Sequence, residues 1–174
     1  MGSAESIPFE SEKFDRVVMM HMLYHVPDIS LALAEVSRVL SYDGKVIITA
    51  NSRESRSVLR HLKSRAAEIL NTNVFTDPNE RFNLQNGPEM LKGFFESVEV
   101  IRFPSVLHLD SSNPYVEYFD SLRDFWKPAP TDEEWDDVTR MVREYIDTQI
   151  EQNGEFTETT GFGIIIGAKP LRKG

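Results

Sequence analysis

Apolar residues change their spacing twice within the first third of the chain. Residues 16–20 form a short apolar run, and its β-branched pair Val17 and Val18 predicts a strand buried on both faces. From residue 29 to residue 40 the apolar positions recur every three or four residues, which predicts a helix with one apolar face. A second apolar run follows over residues 46–48. The pattern therefore predicts a strand–helix–strand crossover with two adjacent parallel strands.

Polar residues mark the ends of these elements. Pro27 and Asp28 stop the first extended segment, and Asp28 can cap the helix that follows. Asp43 and Gly44 predict a turn before the second strand. Because open parallel sheets bind ligands outside the carboxyl ends of their strands, residues 20–25 and 49–52 are the first candidates for a site.

The pattern in the rest of the chain predicts helices and two more strands, one between helices and one after the last helix. In chain order we expect a helix over residues 52–71, a loop over 71–86, a helix from Gly87, a strand over 98–103, a helix from Asn113 to near Trp126, a helix to about residue 151 and a strand over 161–168. Residues 104–130 are expected to interrupt the sheet pattern. Thr131 and Glu134 form a capping box that opens the long helix.

Four cations recur at helical spacing within the predicted helix 52–71: Arg53, Arg56, Arg60 and Lys63. A phosphate-bearing substrate could dock on such a row. The alternative is an ordinary solvated face whose charges are screened by salt.

Composition narrows the class of protein. The chain has 174 residues, of which 40% are apolar, so one domain with a core is expected. Its net charge of −9 disfavours a nucleic-acid partner, because phosphates would be repelled. No apolar run is long enough to predict a membrane span, and a cytoplasmic setting fits the absence of cysteine. The four histidines form no recognisable metal-ligand spacing, so no metal site is expected.

Several short motifs occur in a recognisable order: Phe14-Asp15 before the first strand, Leu23-Tyr24-His25-Val26-Pro27-Asp28 after it, and Arg38-Val39-Leu40 before the second strand. Upstream of these, Glu5-Ser6-Ile7-Pro8-Phe9 precedes the first strand. Together they resemble the middle of a class I S-adenosylmethionine-dependent methyltransferase of the small-molecule type. The resemblance is strong from about residue 4 to residue 50.

The resemblance implies an α/β fold. We expect a partial Rossmann-like methyltransferase sheet, mostly parallel, whose last strand inserts antiparallel between two others, with helices on both faces. Residues 1–174 would form a single, truncated domain with a helical cap inserted over residues 104–153. The Gly-rich loop that holds most of the cofactor in the family is missing from this sequence. Only the carboxyl-terminal portion of the family's domain is therefore matched, and S-adenosyl-L-methionine binding by this chain alone is expected to be weak or absent.

The same resemblance suggests site residues around the donor. Ala4, Glu5, Met20 and His21 correspond to positions that contact the cofactor. His25 is a candidate catalytic base, because imidazole titrates near neutral pH and could take a proton from the acceptor. The alternative for His25 is a structural role, with its ring bonded to a backbone group that fixes the loop.

Aromatic residues of the predicted cap are candidates for acceptor binding, namely Tyr115, Tyr118 and Trp126. The alternative is that these rings at helical spacing are plain core.

Two function classes follow. The first is methyl transfer from S-adenosyl-L-methionine to a small-molecule acceptor, once the missing amino-terminal half is supplied. The second is a non-catalytic module that forms a homodimer through the unpaired sheet edge near Arg16.

Overall fold

The structure is a computed structural model that describes residues 2–75 and 77–172. Strands and helices alternate at the start of the chain, as the apolar pattern predicts. The strands are β1 (Phe14–Met20), β2 (Leu40–Asn51), β3 (Phe95–Leu109) and β4 (Phe156–Pro170). The helices are α1 (Ile29–Val39), α2 (Ser57–Ile69), α3 (Gly87–Leu91), α4 (Asn113–Asp120) and α5 (Asp132–Asn153). Short 3₁₀ turns lie at Leu23–His25, Pro78–Glu80 and Arg123–Phe125.

The four strands form one mixed sheet in the order β1-β2-β4-β3. Strand β1 runs parallel to β2, with Val17 opposite Val46. Strand β4 runs antiparallel to β2, with Ile165 opposite Ile48, and it lies between β2 and β3. The predicted crossover, the α/β fold class and the inserted last strand are therefore confirmed.

Helix α1 covers one face of this sheet. Asp28 caps it, because its Oδ1 accepts a hydrogen bond from the Leu31 amide at 2.9 Å. One side of α1 packs with one side of the strands in a continuous core. The core includes Ala32, Leu33 and Val36 of α1 with Met19, Val46, Ile48, Ala50 and Ile165 of the sheet.

The predicted turn at Asp43 and Gly44 is instead a bulge within β2. The pairing register jumps between Phe14 opposite Leu40 and Arg16 opposite Lys45, so residues 41–44 protrude opposite a single residue of β1. Gly44 is needed there, since a Cβ atom would lie 2.8 Å from the carbonyl oxygen of Ser41. The strand therefore starts earlier than its apolar run suggests.

Strand β1 is not buried on both faces, contrary to the prediction. Val18 is 57% exposed and Met20 is 66% exposed, whereas Met19 between them is buried. These two side chains lie on the sheet face opposite α1, because side chains alternate along a strand. An apolar run alone does not show whether one face or both faces of a strand are buried.

Three element boundaries also differ from the prediction. Helix α2 begins at Ser57 rather than at residue 52. Strand β3 continues to Leu109, so residues 104–109 extend the sheet and do not interrupt it. Pro104 suggested a break, but β3 is an edge strand, where a missing amide donor is tolerated. Helix α4 ends at Asp120, well before Trp126.

Contacts divide the described chain into two compact units. Unit 1 comprises residues 1–53, 77–104 and 161–174, and unit 2 comprises residues 54–76 and 105–160. Unit 2 has its own core, which includes Leu62, Phe119, Trp126, Trp135, Val142 and Phe156. The predicted capping box of α5 is present, with Thr131 and Glu134 bonded reciprocally. The single domain over residues 1–174 and the cap over residues 104–153 stay predictions.

None of the helices in the described ranges is long and apolar enough to cross a membrane.

Candidate functional site

The carboxyl end of β1 places His21 beside β2 in unit 1. The His21 amide donates to Thr49 Oγ1 at 2.9 Å and to the Thr49 carbonyl oxygen at 3.3 Å. Its backbone has a φ of 45°, in the left-handed region that non-glycine residues rarely adopt. The partly buried ring lies 6.1 Å from the Phe162 ring of β4, measured between centroids. The pairing of β1 with β2 therefore fixes the backbone of His21 beside Thr49, and the ring lies near Phe162.

The other residues predicted to contact the cofactor differ in how accessible their side chains are to a ligand. Met20 is largely exposed at the end of β1, so it is open to a ligand. Ala4 packs against the core of unit 1. The Glu5 carboxylate is engaged locally, because Oε1 accepts from the Asp28 amide at 2.7 Å and Oε2 accepts from Ser3 Oγ at 3.3 Å. Glu5 therefore ties its loop to the start of α1.

His25 lies in the 3₁₀ turn after β1, with its side chain exposed. Its ring packs on that of Tyr24, with the centroids 4.5 Å apart. Within residues 2–75 and 77–172 the imidazole makes no hydrogen bond, so the backbone-bonded structural role is not observed. The role of His25 as a base stays a prediction.

Arg81 clamps the loop that carries His25. Its Nη1 donates to the Tyr24 carbonyl oxygen at 3.2 Å, and its Nη2 donates to the Pro27 carbonyl oxygen at 2.7 Å. Burial, reinforced by the negative charge of Asp77, raises the pKa of the Tyr24 hydroxyl above its ordinary value. The Tyr24 hydroxyl therefore keeps its proton at neutral pH.

A polar network at the carboxyl end of β2 was not predicted from the sequence. Asn51 Nδ2 donates to Asn79 Oδ1 at 2.9 Å, and the Asn79 amide donates to Asp77 Oδ1 at 2.9 Å. Gln85 Nε2 donates to Ser52 Oγ at 2.9 Å. Asp77 before Pro78 is a recognisable turn signal, but nothing in its spacing shows that the loop returns to β2.

Unit 2 contains a cavity of about 390 Å³. Its walls include apolar side chains of β3, namely Val106, Leu107 and Leu109, together with the rings of Tyr115 and Tyr118. Two of the three predicted acceptor-binding residues therefore line one cavity. Trp126 does not line it: this residue is 1% exposed in the core of unit 2, and its indole Nε1 has no hydrogen-bond partner among residues 2–75 and 77–172.

Glu158 of β4 is the buried charge of this cavity, at 4% exposure. Its Oε1 accepts from the Leu59 amide in the first turn of α2, and its Oε2 accepts from the Tyr115 hydroxyl, each at 2.9 Å. The side chain of Arg56, at the N-cap position, does not cap the helix, and Glu158 satisfies one of the amides of the first turn. Burial and the Glu158 charge raise the pKa of Tyr115, which keeps its hydroxyl protonated as a donor.

The four predicted cations do not form a common face. Arg53 belongs to unit 1 and pairs with Glu80 at 3.2 Å. Lys63 is buried, with its Nζ 4.2 Å from the centroid of the Phe75 ring. Arg56, at a left-handed φ of 58°, is the member of this set that lines the cavity. Its guanidinium lies 5.6 Å from the centroid of the Tyr118 ring, and Nη1 donates to the Tyr118 hydroxyl at 2.8 Å.

No group of three or more histidine or acidic side chains is arranged to hold a metal ion among the described residues.

The first part of the chain is similar to a known family. Residues 1–48 match the family model described as a methyltransferase domain. An uncharacterized methyltransferase of Bacillus subtilis, YcgJ, is 38% identical over 47 residues, which are 27% of this chain and 19% of YcgJ. A demethylmenaquinone methyltransferase of Staphylococcus aureus is 30% identical over 110 residues, which are 58% of this chain and 46% of that enzyme. The chain thus spans less than half the length of these curated relatives.

Solved structures extend the similarity to the whole chain. The crystal structure of Bacillus subtilis YcgJ superimposes with a TM-score of 0.52 at 19% identity, covering 99% of this chain and 70% of YcgJ. A putative methyltransferase of Bacillus halodurans gives the same TM-score of 0.52 at 16% identity, covering 98% of this chain and 76% of that protein. The chain has a class I methyltransferase fold. In this methyltransferase fold, β1 and β2 are the strands whose carboxyl ends carry His21 and the Asn51 network.

The described residues fit S-adenosyl-L-methionine only in part. Met20 and His21 offer an open apolar and aromatic edge at the end of β1. Glu5 already accepts hydrogen bonds from the protein. In the described ranges, the segments that lead from a strand to a helix are residues 21–28, 52–56 and 110–112. None of them contains a glycine, so none is a Gly-rich turn that could bind the charged part of the cofactor. The residues of this chain would therefore contact one side of the cofactor.

Proposed function

We propose that this chain is the carboxyl-terminal portion of an S-adenosyl-L-methionine-dependent methyltransferase that acts on a small molecule. Residues 20–25 and 49–52 of unit 1 supply part of the donor site, with Met20 and His21 against the cofactor and His25 as the base. Tyr115 and Tyr118 of unit 2 contact the acceptor. The amino-terminal elements that complete the cofactor site come from outside these residues.

One observation carries this proposal. The parallel pairing of β1 with β2 places His21 beside Thr49, at the edge of the sheet where open α/β folds bind their ligands. The left-handed backbone at His21 costs about 1–3 kcal/mol, and such strain is concentrated at ligand sites. The match of residues 1–48 to a methyltransferase domain supports the same assignment.

The proposal is tested by measuring the binding of S-adenosylhomocysteine to the 174-residue chain with ligand-observed saturation-transfer NMR. We expect a weak signal, with a dissociation constant above about 1 mM, because one side of the cofactor site is absent. His21→Ala should abolish the signal, whereas His61→Ala on the exposed side of α2 serves as the matched control and should leave it unchanged. Saturation in the low micromolar range, or an equal signal from His21→Ala, would contradict the proposal.

A second candidate function is a homodimerising, non-catalytic module. Strand β1 lies at the edge of the sheet, and unpaired edges recruit further strands. Val18 and Met20 are exposed beside this edge, so a second copy could cover apolar surface as well as pair its backbone.

A further inference from the structure

We propose that the unit 2 cavity binds an organic anion, a molecule with an apolar body and one carboxylate or phosphate group, and that Arg56 holds the anionic group. The proposal deepens the proposed function by naming the chemical class of the acceptor. Only the statement that the bound anion is the methyl acceptor rests on that function. The binding site itself is a property of unit 2.

The cavity walls select an apolar body. Val106, Leu107 and Leu109 line one part of the cavity. The rings of Tyr115 and Tyr118, whose centroids lie 6.3 Å apart, add aromatic surface to the wall. A volume of about 390 Å³ is in the range of small-ligand pockets.

The charges of the cavity favour an anion over a cation. Arg56 is exposed, its one side-chain hydrogen bond is to a neutral hydroxyl, and no carboxylate forms an ion pair with it in the part of the chain that the structure describes. A guanidinium has five N–H donors, so most of them remain for a ligand. Glu158, the possible counter-ion for a cationic ligand, is buried and already bonds the Leu59 amide and the Tyr115 hydroxyl.

Tyr118 positions the guanidinium. Its hydroxyl accepts from Arg56 Nη1 at 2.8 Å, and its ring lies under the guanidinium carbon. These two contacts fix the orientation of the guanidinium at the cavity, which lowers the entropy cost of binding an anion. Tyr118 is a positioning residue for Arg56 and a wall of the cavity.

The test compares three probes of similar shape and different charge. Binding of 2-naphthoate, 2-naphthalenemethanol and 2-naphthylmethylamine to the full chain is measured by NMR titration near neutral pH, without S-adenosyl-L-methionine. Arg56→Gln removes the cation and Arg56→Lys keeps it. Arg65→Gln is the matched control, since Arg65 is an exposed arginine of α2, the helix that Arg56 precedes, and it lies outside the cavity. Tyr118→Phe keeps the ring and removes the hydroxyl.

We expect 2-naphthoate to bind about tenfold more tightly than the alcohol, with Arg56→Gln losing about that factor and Arg65→Gln losing none. Arg56→Lys should retain part of the preference, and Tyr118→Phe should weaken it even if Arg56→Gln does not fold. Equal or tighter binding of the alcohol or the amine would overturn the proposal, as would unchanged binding to Arg56→Gln. Failure of all three probes to bind at about 10 mM would overturn it as well.

These outcomes are independent of methyl transfer. Preferential binding of 2-naphthoate together with an S-adenosylhomocysteine signal that His21→Ala leaves unchanged would support the anion site and contradict the proposed function. Binding of S-adenosylhomocysteine that depends on His21, without any preference for 2-naphthoate, would support the proposed function and reject an anionic acceptor.

Discussion

Single residues decide how closely the strands of unit 1 approach each other. Gly163 of β4 lies against the backbone of β3, and a Cβ atom there would be 2.5 Å from the carbonyl oxygen of Ile101 and 2.9 Å from Leu84 Cδ1. The backbone cannot move away without breaking the sheet. Gly167 is restricted in the same way, because a Cβ atom there would lie 2.8 Å from the Phe95 ring.

Gly163→Ala should destabilise the protein by about 1–3 kcal/mol, because the added methyl group overlaps backbone. Gly93→Ala is the matched control, since its Cβ would meet its nearest neighbour at an ordinary 3.6 Å. Urea denaturation of both variants measures the difference. Equal midpoints for the two variants would show that β3 and β4 are not packed as described.

Because the hydroxyl of Tyr115 is buried, the free energy of unfolding depends on pH in the alkaline range. Its pKa is raised above the ordinary value of 10.0, so at high pH the unfolded chain loses this proton more readily than the folded chain does. The contribution of Tyr115 is therefore complete below about pH 10 and is lost as the pH rises further.

Thermal melts between about pH 8 and about pH 11 should show a steep loss of stability that is smaller in Tyr115→Phe. Tyr42→Phe, at an exposed tyrosine, is the control and should melt like the parent chain. An identical pH profile in the parent chain and in Tyr115→Phe would disprove the coupling.

At the scale of elements, Arg38 and Glu35 of α1 hold the amino-terminal loop by hydrogen bonds to its backbone. Arg38 donates to the carbonyl oxygens of Ile7 and Phe9 at 3.0 and 2.9 Å, and it pairs with Glu35 at 2.7 Å. Glu35 Oε2 in turn accepts from the Ile7 amide at 2.8 Å. The hydrogen bond from Arg38 lowers the pKa of Glu35, so this fastening is present above the ordinary value of 4.5 and is lost as the pH falls through the lowered pKa.

Glu35→Gln should speed hydrogen exchange at the Ile7 amide, because the neutral side chain accepts that bond more weakly and no longer holds Arg38. Glu10→Gln, at an exposed residue of the same loop, should leave the exchange rate unchanged. Exchange at Ile7 that is equally slow in both variants would contradict the role of Glu35.

The sequence predicted elements well where one local signal was sufficient. The Asp28 cap, the Thr131 capping box and the α1 apolar face each depend on neighbouring residues, and all three are confirmed. The end of β3 and the start of α2 depend on contacts with distant strands, so their predicted bounds were wrong. Arg56 was noticed as one cation in a row, but its place in a cavity depends on β3, α4 and β4, which no local pattern reveals.

At the scale of the whole molecule, the two faces of the sheet are unequally covered. Met19, Val46 and Ile48 are buried on the α1 side, whereas Val18 and Met20 on the other side are exposed. Parallel strands are usually covered on both faces, so an apolar face at an open edge is a surface that another chain or segment can cover.

If a second copy covers this surface, the chain should sediment as a dimer at micromolar concentration. Val18→Lys, which places a charge on the apolar face, should return it to a monomer. Leu31→Lys, at an exposed apolar residue of α1, is the control and should leave the dimer intact. A strict monomer at every concentration would reject the homodimer and leave the methyltransferase proposal in place.

The central claim is that the carboxyl ends of β1 and β2 form one side of a cofactor site. The most direct test is a titration of the isotopically labelled chain with S-adenosylhomocysteine, followed amide by amide by NMR. We expect gradual shift changes confined to residues 20–25 and 49–52, unsaturated at about 1 mM. No change at these residues at about 10 mM, or changes confined to unit 2, would contradict the claim.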